Sequence, residues 1–343
     1  MKVIVAMSGG VDSSVCAYLL KEQGFDVIGL TLKLYDTKSS VCGSLQNIRD
    51  AKKVCDTLAI KHEVLDLQKE FSEEVIDNFK NSYLSARTPN PCILCNEKIK
   101  FGLMLKYVTA NNFDYLATGH YAKIEKTDST YKLQTPKDKS KDQTYFLYRL
   151  SQEQLSKILF PLGEYTKQEI RDLAFKANLL VAKKPDSQEI CFIQSTYSDF
   201  LENNIKDFKK IVLPGLIVDS KGKKLGKHKG LIYYTIGQRS GLGITTPEPA
   251  YVLRLDIATN TVVVGTKEEV YSRVAKIDNI NFISNKQKKD FRAKVKIRRM
   301  HEPAQATINN DIILFDEPQA SITPGQSAVF YDGDYVLGGG FII

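Results

Sequence analysis

Residues 2–22 run through a β-branched stretch, KVIVA, a glycine-bearing turn, M-S-G-G-V-D-S-S, and an apolar-periodic segment that reads as a helix over 13–22. Parallel strands must be joined by a crossover, which is usually helical, so strand, turn and helix in this order open a parallel sheet wrapped by helices. The rhythm then repeats. DVIGLTLKL (26–34) reads as a strand, residues 44–60 as a helix, HEVLDL (62–67) as a strand and residues 69–85 as a helix. A loop carrying Cys92 and Cys95 follows, with a helix expected over 96–111, Asn96 as its cap, and a strand at DYLAT (114–118). In such doubly wound sheets ligands sit at the carboxyl ends of the strands.

Residues 151–180 are expected to be helical again, because Thr166 with Glu169 and Ser151 with Gln154 have capping-box spacing. The character changes near residue 205. From there D-S-K-G (219–222), A-T-N-T (258–261) and Y-D-G-D (331–334) separate β-branched runs, the pattern of two small all-β modules divided near residue 270. A chain of 343 residues is longer than one core usually serves. The expected units are therefore 1–200, 201–270 and 271–343.

The turn after the first strand has the chemistry of an anion cradle. Gly9 and Gly10 let backbone N–H groups face a phosphate, Ser8, Ser13 and Ser14 add hydroxyls, and the helix N-terminus adds its positive dipole end. It lacks the lysine of a Walker loop, and Asp12 stands where a magnesium ion accompanying a nucleotide could be held. The pattern S-G-G-x-D-S resembles the PP-loop of ATP pyrophosphatases, which cleave ATP between its α and β phosphates.

Six cysteines in a chain with no signal-peptide pattern at MKVIVAMSGG, and no run of roughly 20 apolar residues, suggest a cytoplasmic protein with no membrane partner. A reducing compartment favours catalytic or metal-binding thiols over a disulfide framework. Cys92, Cys95 and Cys191 are placed in loops, Cys16 and Cys55 on apolar helix faces, and Cys42 in a turn. Three cysteines leave tetrahedral zinc one ligand short unless His120 or His228 joins. They would suffice for a [4Fe–4S] cluster with an open iron, the alternative to no metal at all. Charge supplies the remaining clue. Residues 201–343 hold 21 Lys/Arg against 15 Asp/Glu, concentrated in Lys221–Lys229 and Lys286–Arg299, stripes suited to a nucleic-acid backbone or to a solvated surface.

Taken in order, SGGVDSS, T-P-N-P-C-I-L-C-N-E-K-I-K-F (88–101), A-T-G-H-Y (117–121), K-D-Q-T-Y-F-L (141–147), D-S-Q-E-I-C-F-I (186–193), P-G-Q-S-A-V-F-Y (324–331) and G-G-G-F-I (338–342) resemble the MnmA/TrmU family of tRNA-specific 2-thiouridylases. The resemblance implies an α/β PP-loop domain followed by two small β domains, the last a barrel. It implies that ATP, with Mg2+, lies against Ala6, Met7, Ser8, Gly9, Gly10, Val11, Asp12, Ser13, Leu32 and Gly119. Cys191 would carry a persulfide and Cys95 would be the nucleophile, with a transient Cys95–Cys191 disulfide. A nearby cation, Lys98 or Lys100, or a helix N-terminus would lower the Cys95 thiol from its ordinary range near about 8.5. Asn90, Pro91, Cys92, His120 and Gln326 would face the target base, and Lys141, Asp142, Gln143, Arg298 and Arg299 the tRNA. Implied partners are the anticodon stem-loop of tRNA and a sulfur-relay protein or cysteine desulfurase, with the enzyme a monomer. The rival readings are a PP-loop ligase acting on a small metabolite, and a basic RNA-binding protein with a C-x-x-C metal knuckle.

Overall fold

The computed structural model describes residues 1–35, 44–128, 130–185, 190–284 and 289–343; Cys42 lies outside them. Seven strands fall in the first part of the chain: β1 (Lys2–Ala6), β2 (Asp26–Lys33), β3 (Lys61–Asp66), β4 (Tyr115–Ala117), β5 (Lys123–Thr127), β6 (Thr130–Gln134) and β7 (Ile158–Leu159). Five of them form a parallel sheet in the order β3-β2-β1-β4-β7. Strand β1 is central because it can be buried on both faces. Val3 and Val5 pack with Val15 and Leu19 of helix α1 (Val11–Glu22) and Val54 of helix α2 (Leu45–Thr57), whereas Ile4 faces Phe101, Met104 and Tyr145. Both expected capping boxes are present, at Ser151/Gln154 and Thr166/Glu169.

The helix after the T-P-N-P segment starts earlier than the sequence reading placed it. It begins at Pro91, with the Asn90 side chain accepting from Cys92 N–H at 3.2 Å, widens into a π-helix over Cys95–Met104 and ends at Ala110. Pro91 takes the first helical position, where its missing N–H is no loss. Cys92 and Cys95 therefore lie in the helix rather than in a loop. Asn90 is the cap, and Asn96 is buried, donating to the Phe146 carbonyl at 3.1 Å.

The central sheet pairs β8 (Gly215–Asp219), β9 (Lys224–His228), β10 (Tyr251–Asp256) and β11 (Thr261–Gly265) in the order β10-β11-β8-β9. The C-terminal strands β12 (Tyr271–Phe282), β13 (Asp290–Lys296), β14 (Ala304–Asn309), β15 (Ile312–Ala320), β16 (Ser327–Asp332) and β17 (Tyr335–Ile342) close into a six-stranded barrel, since β12 pairs with both β15 and β17.

The β5–β6 hairpin, although it belongs to the N-terminal segment, continues the barrel sheet: Val336 pairs with Leu133 and Tyr335 with Gln134. The core beneath is shared as well, with Ile283, Val329 and Val336 packing beside Tyr145 and Tyr148. Polar contacts reinforce it. Tyr145 OH donates to the Ser327 carbonyl at 2.9 Å and accepts from its N–H at 3.2 Å, and Tyr148 OH lies 3.0 Å from Ser327 Oγ. Arg149 binds both oxygens of Glu97 and donates to the Asn279 carbonyl at 2.9 Å.

Tyr145→Phe leaves both main-chain groups of Ser327 buried without that hydroxyl. Urea unfolding is expected to show a loss of about 1–3 kcal/mol, whereas Tyr335→Phe, whose hydroxyl pairs with Glu125 near the surface, changes stability less.

Candidate active site

The turn joining β1 to α1 is held from three sides. Met7 N–H donates to the Leu30 carbonyl at 2.9 Å, so the loop leaves β1 along the end of β2. Gly9 has φ +70°, and a Cβ there would lie 2.5 Å from the Asn47 carbonyl oxygen, so only glycine lets the turn pass this close to α2. Lys184 then bridges the two, donating to the Gly9 carbonyl at 2.9 Å, Asn47 Oδ1 at 2.8 Å and Asp50 Oδ2 at 2.8 Å. Burial alone would raise the Asp50 carboxyl, but hydrogen bonds from Lys184 and Gln46 outweigh it and hold the group below the usual carboxylate range. Within the turn Ser8 Oγ lies 3.1 Å from Ser13 Oγ, and Ser14 Oγ donates to the Gly10 carbonyl at 2.8 Å. Gly10 precedes α1 without a side-chain cap. The first N–H groups of α1 are thus not claimed by a capping side chain.

In front of this turn opens a cavity of about 790 Å³ counted out to its mouth. It brings together Ala6, Met7, Ser8, Asp12, Ser13, Leu32 and Gly119, all expected at a nucleotide. Gly9, Gly10 and Val11 do not line it. Gly9 packs on Asn47, Gly10 precedes the helix and Val11 enters the core. Gly119 also serves the packing of the turn. A Cβ there would lie 2.8 Å from the backbone of Asp12 and Ser13, so the glycine lets β4 approach the first turn of α1.

His120 and Gln143, expected at the tRNA, also line this cavity, and Thr31, Thr118 and Lys100 join them. Gln143 Oε1 accepts from Tyr121 N–H at 2.8 Å. His120 is buried between Phe101 and Phe160, with Nδ1 2.7 Å from Thr118 Oγ1. Burial pushes its pKa well below the ordinary histidine value, and the charge of Lys100 adds to the effect. Asp12 does not present an open magnesium ligand. Lys167 Nζ lies 2.7 and 2.9 Å from its two oxygens, and Tyr121 OH donates to it at 2.8 Å.

The thiols separate by environment. Cys95, buried, and Cys191, half-buried, belong to one apolar cluster with Phe79, Ile99, Phe192 and Phe200. Cys92 stands nearer than Cys95 to the helix N-terminus, and Lys98 pairs with Glu97 at 3.7 Å while Lys100 lines the cavity. Cys95 thus lies past the first turn of a helix capped by Asn90 rather than by Asn96. Cys16 and Cys55 are core residues: burial drives the Cys16 thiol up beyond its titratable range, and Cys55 is pushed up to about 12. Among the described residues no group of three or more His, Cys, Asp or Glu side chains is gathered closely enough to hold a metal ion. Nor is any helix among them long and apolar enough to cross a membrane.

The residues expected at tRNA divide. Gln326 Nε2 donates to the Thr88 carbonyl at 2.7 Å and Thr88 N–H to the Pro324 carbonyl at 2.8 Å, clasping the T-P-N-P segment to the barrel. Asp142 Oδ1 accepts from the N–H and hydroxyl of Thr144, while Asp142 Oδ2 lies 4.0 Å from Lys296. Arg298 and Arg299 are exposed just beyond β13, and Arg299 stacks over Phe146 at 5.6 Å. The 141–146 loop and the barrel arginines thus form neighbouring parts of one surface. Lys100 at this cavity, and Lys167 and Lys184 on the turn behind it, converge from distant segments that no local sequence pattern connects.

His120 gives a pH signature. Above pH about 6.5 it is neutral in both folded and unfolded chains and costs nothing; below that, the unfolded chain takes up a proton that the folded chain refuses. Stability therefore falls as pH drops from 6.5 toward 5. His120→Gln is expected to reduce that slope by up to about 1.4 kcal/mol per pH unit in urea titrations. His62, His228 and His301, also shifted down mainly by burial, retain their share.

Comparison with known proteins covers the whole chain. Family models match as a tRNA methyl transferase HUP domain over residues 1–195, a tRNA methyl transferase PRC-barrel domain over 198–266 and an aminomethyltransferase beta-barrel domain over 272–342. A tRNA-specific 2-thiouridylase MnmA 2 of Thermoanaerobacter sp. (strain X514) is 49% identical, covering 99% of this chain and 97% of its own. The MnmA proteins of Clostridioides difficile (strain 630) and Acetivibrio thermocellus are each 47% identical over 99% of this chain and 98% and 99% of theirs. At that identity over nearly its full length, the chain belongs to the tRNA-specific 2-thiouridylase MnmA family.

Proposed function

We propose that this protein replaces O2 of the wobble uridine of tRNA by sulfur at the expense of ATP. The C2 carbonyl of uracil is urea-like and its oxygen leaves only after activation. O2 attacks the α-phosphorus of ATP, the bond to the β-phosphate breaks, and pyrophosphate leaves. The cavity before Ser8–Ser13 suits the nucleotide, with Leu32 as an apolar wall and the α1 N-terminus toward the phosphates. Mg2+ would accompany ATP as part of that substrate, and Asp12 is the carboxylate available to it once Lys167 releases it.

Sulfur arrives as a persulfide on Cys191, donated by a sulfur-relay protein or a cysteine desulfurase. In one route Cys95 attacks Cys191 Sγ, expelling hydrosulfide that adds to C2. In the other the terminal persulfide sulfur adds to C2 and Cys95 then breaks the S–S bond. Either way AMP departs with the former O2, and a Cys95–Cys191 disulfide remains for a dithiol to reduce. The observation that carries this reading is that one helix, Pro91–Ala110, bears Cys95 against the apolar cluster shared with Cys191 and, one turn on, Lys100 in the nucleotide cavity. Lys141, Arg298 and Arg299 supply basic contacts for the anticodon arm. The enzyme acts as a cytoplasmic monomer, with units dividing near residues 200 and 270.

Incubation of tRNA with MgATP and a persulfide donor is expected to yield 2-thiouridine, seen as retarded mobility in a mercury-containing gel. Cys95→Ser and Cys191→Ser should abolish the shift and Cys92→Ser should retain it. No shift with wild-type protein, or an undiminished one with Cys191→Ser, overturns the proposal.

A further inference from the structure

The phosphate turn between β1 and α1 contains no lysine, yet the reaction builds negative charge on phosphoryl oxygens and on departing pyrophosphate. Three lysines from other segments surround it. Lys184 is committed to the Gly9 carbonyl, Asn47 and Asp50, and Lys167 to both oxygens of Asp12. Lys100 lines the cavity itself, together with Ser8, Ser13 and His120.

Its position follows from the helix. Over Cys95–Met104 the backbone is π-helical, with hydrogen bonds from i to i+5, so residue 100 lies one turn beyond residue 95 on nearly the same side. Residues 95 and 100 are thereby spaced by one turn along one helix. Cys95 packs into the apolar cluster and Lys100 reaches the wall of the nucleotide cavity.

The geometry points to Lys100 as a catalytic residue of the adenylation step, contacting the ATP phosphates in place of the lysine that the turn lacks. The inference rests on the adenylation reading given above. As uridine O2 bonds to the α-phosphorus and the α–β bridging bond breaks toward pyrophosphate, the Lys100 ammonium neutralises charge on the phosphoryl oxygens and transfers no proton.

The test uses the full-length protein with unmodified tRNA and α-labelled ATP in single turnover, following AMP and pyrophosphate, beside equilibrium binding of ATP and of adenosine. Lys100→Met and Lys100→Gln are expected to slow tRNA-dependent pyrophosphate release about 100-fold or more and to weaken ATP binding while leaving adenosine binding unchanged; Lys100→Arg restores part of the rate. A purely structural lysine would weaken both ligands together. Pyrophosphate release by both neutral variants at the wild-type rate overturns the assignment of Lys100 and leaves adenylation standing. Absence of tRNA-dependent pyrophosphate release from the wild-type protein overturns adenylation and the assignment with it.

Discussion

The close passage of Gly9 across the backbone of Asn47, with Lys184 bridging the two, is the contact on which the site depends. It sets where the turn leaves the sheet and therefore where the first N–H groups of α1 point. A left-handed φ and a sub-contact Cβ distance make that position intolerant of any side chain. Gly119 does the same from the other side, bringing the end of β4 against Asp12 and Ser13. Two glycines and one lysine thus hold the turn that presents Ser8 and Ser13 to the cavity.

A second constraint is the joining of the N-terminal domain to the barrel through sheet and core. The β5–β6 hairpin extends the barrel, Tyr145 and Tyr148 meet Ser327, and the clasp between Thr88 and the 324–326 turn ties the segment before Cys92 to the barrel. A bound RNA touching Arg298 and Arg299 would therefore be placed relative to the helix of Cys95 by a shared core rather than by a linker. Lys296 beside Asp142 and Arg299 over Phe146 carry that alignment to the surface.

What could be read in the sequence was local. The glycine turn after β1, the alternation of strand and helix and the capping boxes at Ser151 and Thr166 are set by neighbours a few residues apart, and the structure has them. The start of the helix at Pro91 is also local, set by the Asn90 cap and the proline at its first position, whereas Asn96 lies in a helix already under way and is buried. Other features were not local. Lys167 and Lys184 reach the turn after β1 from more than 150 residues away, and the partner of β6 lies some 200 residues downstream. No periodicity encodes such meetings. His120 could be assigned to the end of a strand but not to its burial between two phenylalanines, which makes it a neutral wall of the cavity.

If uridine O2 is activated by bonding to the α-phosphorus of ATP, that oxygen leaves with AMP, and isotope transfer reads it out. With tRNA carrying oxygen-18 at O2 of the wobble uridine, each thiolation should deliver one oxygen-18 atom to AMP, measured by mass spectrometry of the nucleotide. Appearance of 2-thiouridine with AMP free of oxygen-18 would rule out activation of O2 by adenylation.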